Sequence, residues 1–280
     1  MERGSAVMPL GRILVPLDGS PTSEAALPPV LRLLRRRTET EIVLVQCVPP
    51  LVADANPEAA LRAARSYLLK MEDALGADGA RVRSVAELGS PAETIVRLAD
   101  REAANLIAMA THGRTCLARA VLGSVTERVL RKTRVPVFAV RSLGAPPPEE
   151  RQGLRTLLLP LDGSDASLRA LPAAADMARL FSARLLLLGV LEAGGDRARA
   201  ERGLREVERL SRSEGVMTAA LLEEGDPVDE ILDIARFHEV DLIVMATHGR
   251  GGVRRLVTGS VTEGVLRKSP VPLLIVRSLL

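Results

Sequence analysis

ILVPLDGSPTSEAALP (Ile13 to Pro28) returns later in the chain as LLLPLDGSDASLRALP (Leu157 to Pro172). In each copy an apolar run stops at Pro-Leu-Asp-Gly-Ser and a helix-compatible stretch follows. That pattern reads as a buried strand carrying a polar turn at its carboxyl end. Two further pairs extend the match. LGSPAETIVRLA (Leu88 to Ala99) resembles EGDPVDEILDIA (Glu224 to Ala235), and GSVTERVLRKTRVPVFAVRSL (Gly123 to Leu143) nearly equals GSVTEGVLRKSPVPLLIVRSL (Gly259 to Leu279). Each repeat is too long for a solenoid unit and long enough to fold alone. The chain therefore reads as a tandem duplication, with repeats over 9–143 and 154–280. Between them Gly144-Ala-Pro-Pro-Pro-Glu-Glu-Arg-Gln-Gly153 forms a stiff polar linker.

Within repeat one, strand and helix signals alternate. Arg12 to Leu17 reads as a strand and Thr22 to Arg37 as a helix kinked at Pro28 and Pro29. The basic run Arg35 to Arg37 would complement the dipole at that helix's C-terminus. Strands are expected at Glu41 to Val48, Arg81 to Leu88, Asn105 to Ala110 and Val135 to Val140. The intervening helices are expected at Pro57 to Leu75, Pro91 to Glu102 and Gly123 to Lys132. Repeat two follows the same order. Alternation of this kind gives an α/β fold of two doubly wound, Rossmann-like domains, each a parallel sheet flanked by helices. Ligands in such sheets bind beyond the carboxyl ends of the strands.

Composition supports this class and excludes others. Hydrophobic residues make up 47% of the 280 residues but aromatic residues only 1%, so Leu, Val, Ile and Ala must fill the core. With so few rings, base stacking on nucleic acid has little to work with. The net charge is only +3, so no nucleic-acid partner is expected. Cys47 and Cys116 are the two cysteines, a number that fits a reducing compartment without a disulfide framework. No signal peptide is recognisable, and no apolar run approaches the ~18 residues of a membrane span. A cytoplasmic protein without a membrane partner is the expectation.

Three segments should meet at the carboxyl edge of each sheet. In repeat one they are Pro16-Leu-Asp-Gly-Ser20, the end of the second strand at Cys47, and the loop from Ala110 to Ser124. Glycine allows close approach of backbone to ligand, and a helix N-terminus opening on Gly123-Ser124 offers free N–H groups and partial positive charge. Ser124 and Thr126 would add hydroxyl donors. Together these make an anion cradle.

At these residues the chain resembles the universal stress protein family, whose ATP-binding members carry Gly-x-x-Gly, nine residues, then Gly-Ser or Gly-Thr. Repeat one reads Ala110-Thr-His112-Gly113, Arg114 to Leu122, Gly123-Ser124-Val125-Thr126. Repeat two reads Ala246-Thr-His248-Gly249, Arg250 to Thr258, Gly259-Ser260-Val261-Thr262. Both depart from the motif at its first glycine, which is Ala. The resemblance implies a five-stranded parallel sheet per repeat, ATP as ligand and Mg²⁺ arriving with the nucleotide. It places Asp18 and Asp162 toward the adenosine, with Ser20 and Ser164 and the main chain of Pro16, Leu17, Pro160 and Leu161 nearby. The adenine-contacting position falls on Cys47 and Val190, and Gly189 in place of Gln46 is expected to widen the pocket of repeat two. The resemblance further implies a non-enzymatic stress regulator or sensor whose two repeats pair within the chain, with a homodimer left open.

Other readings stand beside these. Asp18 and Asp162 could serve only as a helix cap or Asx-turn, and the loop glycines could merely shape a turn. His112 and His248 have no paired ligand at metal spacing, so no metal site is expected. Cys116 reads as a small space-filling residue. A slow ATP hydrolase or nucleotide-transferring enzyme is a rival, although GxxxxGK[ST] is absent. A structural member that has lost nucleotide binding is another, supported by Ala110 and Ala246. A dehydrogenase is excluded because no GxGxxG follows either first strand.

Overall fold

The alternating signals become alternating strands and helices in a computed structural model. It describes residues 10–34, 39–50, 56–77, 79–111, 122–141, 153–247 and 259–277. The chain divides into two units, Pro9–Pro146 and Pro147–Leu280. In the first, the strands are β1 (Arg12–Pro16), β2 (Glu41–Val48), β3 (Arg81–Leu88), β4 (Leu106–Ala110) and β5 (Val137–Val140). Its helices are α1 (Pro21–Glu24), α2 (Leu27–Leu34), α3 (Pro57–Ala77), α4 (Pro91–Arg101) and α5 (Ser124–Lys132). The second unit repeats the plan with β6 (Thr156–Leu161), β7 (Arg184–Leu191), β8 (Thr218–Glu224), β9 (Leu242–Ala246) and β10 (Leu273–Val276). Its helices are α6 (Asp165–Leu168), α7 (Leu171–Phe181), α8 (Arg197–Ser213), α9 (Pro227–Phe237) and α10 (Ser260–Lys268).

Each unit holds five parallel strands, in the order β3-β2-β1-β4-β5 and β8-β7-β6-β9-β10. The chain runs outward from β1 to β3, then crosses back to place β4 on the other side of β1. The strand order thus reverses between β1 and β4, and between β6 and β9, which is where a doubly wound sheet opens a crevice. Central strands are apolar throughout: β4 and β9 are buried at every position. Leu and Ile side chains dominate the fully buried set, with Phe138 the one aromatic among its largest members.

The single kinked helix expected over Thr22 to Arg37 is instead two helices, α1 and α2, parted at Ala25 and Ala26. Pro28 and Pro29 cannot donate the N–H groups that would bond back to Glu24 and Ala25, so they sit in the first turn of a new helix, where no donor is needed. Repeat two breaks in the same way before Pro172. Arg35 to Arg37 lie outside the described residues.

The amino ends of the strands are tied by side chains. Asn105 Oδ1 accepts the backbone N–H groups of Gly11 and Arg12 at 3.0 and 2.9 Å. Asp241 Oδ2 accepts those of Arg155 and Thr156 at 2.7 and 3.1 Å. Repeat one adds a charged cluster there, with Glu41 held by Arg12 at 2.6 Å and by Arg83 at 3.2 Å. Both arginines also reach Glu102, through its carbonyl and its carboxylate respectively. Among the described residues, no helix is long and apolar enough to cross a membrane.

Candidate functional site

The crevice begins with a proline. Parallel strands direct alternate residues to alternate neighbours. Leu17 N–H donates to Val45 O of β2 at 2.7 Å, and Arg12 O accepts from Asn105 beside β4, so even-numbered residues of β1 face β4. Pro16 faces β4 without an N–H to give, and the β1–β4 pairing stops at Leu14 and Ile107 while β1–β2 pairing continues to Pro16. Repeat two does the same: β6–β9 pairing stops at Leu158 and Ile243, before Pro160. A proline in a central strand normally breaks a ladder. Here the break lies at the switch point, where the two strand ends must part to admit a ligand.

Beyond Pro16, Leu17 is buried and Asp18 stands at the mouth. Asp18 Oδ1 accepts the backbone N–H of Ser20 at 2.9 Å and its hydroxyl at 2.5 Å. The turn includes Gly19 at φ 77°, a conformation that favours glycine. Ser20 then caps α1 by accepting the Ser23 N–H at 3.2 Å. Asp162, Gly163 and Ser164 repeat this turn, with bonds of 2.9 and 2.6 Å onto Asp162 Oδ1. The Asx-turn reading of both aspartates therefore describes their local geometry. Ser20 and Ser164 shape the turn through these bonds.

On the other side of the crevice lie Ala110 and the start of α5. Ala110 is buried at the end of β4, and the Thr126 hydroxyl donates to its carbonyl at 3.0 Å. Thr262 does the same for Ala246 at 3.0 Å. Both threonines are buried, and their hydroxyls are bonded within the fold. The β1–β4 and β6–β9 pairing has ended before these residues, so the Ala110 and Ala246 carbonyls lie beyond the last strand pair and the threonine hydroxyl supplies a partner.

Gly123 and Gly259 are the N-cap residues of α5 and α10, and neither supplies a side-chain cap. By contrast, α1, α8 and α9 are capped by Ser20, Asp196 and Asp226. Among the described residues, the N-cap positions of α5 and α10 thus offer no side-chain acceptor to the first-turn N–H groups. Ser124 and Ser260 are exposed at that turn, with Val125 and Val261 half-buried beside them. The two glycines differ in backbone: Gly123 has φ −59°, open to any residue, whereas Gly259 has φ 74° and is restricted to glycine. Gly123 N–H donates to Thr111 O at 2.8 Å, holding the helix start against the end of β4. His112, Gly113, Arg114, Cys116, His248, Gly249 and Arg250 lie outside the described residues.

At Cys47 and Val190 the two repeats diverge. Cys47 faces the Glu87–Arg97 ion pair. Burial, reinforced by Glu87, pushes its thiol up to about 12, so it is a neutral group. Val190 replaces it in repeat two and is half-buried. The neighbouring Gly189 does not widen that pocket. A Cβ there would lie 2.9 Å from Leu204 of α8 and 3.0 Å from Leu222 of β8, so those side chains already fill the space. In repeat one Gln46 pairs with the small Ala86, while in repeat two the small Gly189 pairs with Leu222. The volume has moved one strand outward. Repeat two also has an acidic cavity of about 540 Å³ off the ends of β7 and β8, lined by Leu191, Glu192, Glu224 and Asp226. Its carboxylates would repel phosphate.

With this geometry in place, similarity to known proteins is informative. The family model described as "Universal stress protein family" matches residues 9–141 and 153–277. A universal stress protein of Mycobacterium bovis is 28% identical over 220 residues, covering 74% of this chain and 72% of its own length. One from Thermus aquaticus is 35% identical over 135 residues, covering 44% of this chain and 98% of itself. Among solved structures, a universal stress protein from Archaeoglobus fulgidus superimposes with a TM-score of 0.76 at 25% identity. That likeness covers 96% of this chain and 97% of the other.

Proposed function

The chain belongs to the universal stress protein family, and we propose that its repeats bind ATP and that it acts as a stress-response regulator or sensor in the cytoplasm. The observation that carries this reading is the crevice between β1 and β4 and its copy between β6 and β9. Each sets an aspartate-bearing turn against an uncapped helix start. A helix terminus with open N–H groups and a positive dipole end favours phosphate. The N–H groups of Ser124, Val125 and Thr126 would hold the phosphates, as would those of Ser260, Val261 and Thr262. Asp18 and Asp162 would stand on the adenosine side of the nucleotide. Mg²⁺ would come with the nucleotide. The role is non-enzymatic: the residues bind and orient the nucleotide.

Calorimetric titration tests the proposal, with ATP expected to bind more tightly than GTP. Ser124→Glu and Ser260→Glu place a carboxylate at each anion end while suiting the helix dipole, so the fold is kept. Each should weaken ATP at its own site at least about tenfold, or about 1.4 kcal/mol. With the sites separated in this way, repeat two is expected to bind at least as tightly as repeat one. No ATP binding by the unmodified chain at millimolar concentration would refute the proposal.

A further inference from the structure

The outer strands β3 and β8 hold the same place in their units, and they differ in charge over their amino halves. β3 carries Arg81, Arg83 and Glu87. Arg83 is anchored to Glu41 and Glu102, and Glu87 to Arg97 and Arg101. Charges on an outer strand deter pairing with another chain. In repeat two the stretch Val216-Met-Thr-Ala-Ala-Leu-Leu222 contains no charge. Met217 stands where β3 has Arg81, and Phe237 of α9 stands where α4 has Arg101. They are 66% and 81% exposed. Met217 immediately precedes β8, and Phe237 is the last residue of α9, the helix that follows β8. Two guarding arginines in one repeat are thus two exposed apolar side chains in the other.

The backbone shows which groups are on offer. Met217 O and Gly225 N–H are bonded toward β7, so odd-numbered residues of β8 face inward and Thr218, Ala220 and Leu222 face out. Arg212 of α8 covers the outward Thr218 carbonyl, with contacts of 2.8 and 3.0 Å. Among the described residues no strand pairs with this side of β8. Arg212, paired with Glu208 at 2.7 Å, sits at the amino end of the edge, and Glu223 and Glu224, the latter paired with Arg197 at 2.7 Å, sit at its carboxyl end.

We infer that the β8 edge is a self-association surface, on which a second copy of this chain adds its own β8 antiparallel. Antiparallel pairing brings each strand's Glu224 to the partner's basic amino end, whereas parallel pairing would set like charges together. With Thr218 O already covered, the register that uses the free groups pairs Ala220 with Leu222 across the two-fold axis, a relation in which each copy offers the same patch. Met217 and Phe237 then border the new strand pair. No part of this depends on nucleotide binding.

Sedimentation and light scattering across a concentration series of the full chain test the inference. A mass moving from the 29.9 kDa monomer toward twice that value as concentration rises is expected. The double substitution Met217→Arg with Phe237→Arg installs repeat one's residues at exposed positions. It should raise the dimer dissociation constant at least about tenfold with an unchanged melting curve. Hydrogen exchange should show the Ala220 and Leu222 amides slowing with concentration in the unsubstituted chain alone. A monomer at all concentrations, a dimer indifferent to the double substitution, or concentration-independent exchange at Ala220 and Leu222 would each overturn the inference.

Discussion

Replacing Thr126 by valine should expose how the crevice is held open. Valine has the shape of threonine without its hydroxyl, and the two have similar helix propensity, so little changes except one hydrogen bond. That bond runs 3.0 Å to the Ala110 carbonyl. Thr126 is 3% exposed and Ala110 6%, so water has little access to the group left behind. An unsatisfied buried carbonyl costs about 1–3 kcal/mol, and the added methyl burial offsets at most about 0.8 kcal/mol. The net loss should be about 1–2 kcal/mol, a fall of roughly 3–8 °C in the melting temperature of a domain this size. Thr126→Ser keeps the donor and serves as the control; it loses only a methyl contact. Urea and thermal unfolding of the three proteins provide the comparison. If Thr126→Val melts with the unsubstituted protein, the Ala110 carbonyl is hydrated, and the account of strand ends parted at Pro16 and bridged by threonine is wrong.

Gly189→Gln, which copies repeat one, should destabilise by about 1–3 kcal/mol through overpacking against Leu204 and Leu222. Adding Leu222→Ala should recover part of that loss, giving a double-mutant coupling of opposite sign to the single effects in urea denaturation. The Cys47 thiol keeps its proton to about 12, against an ordinary value of 9.0, so the unfolded chain ionises first and stability falls as pH rises from about 9 to 12. Cys47→Val should lose less stability over that window, as read by melting temperature against pH; an identical slope would refute this. Asn105→Ala should cost about 1–3 kcal/mol, because two backbone N–H groups lose their shared acceptor, whereas Asn105→Asp, the residue repeat two uses, should be better tolerated.

The sequence by itself determined the duplication, the strand and helix alternation, and the position of the crevice. These follow from local patterns: Glu41–Val48 and Arg81–Leu88 are strands over the same residues the apolar pattern marks. The Gly-Ser pairs open α5 and α10 as their composition suggests. Period and punctuation are properties of neighbours along the chain, so they can be read there. The helix broken at Ala25 and Ala26 was also written locally, in the N–H groups that Pro28 and Pro29 lack. Tertiary structure alone decided the rest. Thr126 turns its hydroxyl inward to the Ala110 carbonyl, which lies on β4 beyond the last β1–β4 pair. Gly189 opens no pocket because Leu204 from α8 and Leu222 from β8 occupy its space. In both cases the deciding atom comes from a distant segment, and what a polar group or a vacant volume does depends on what the fold brings against it.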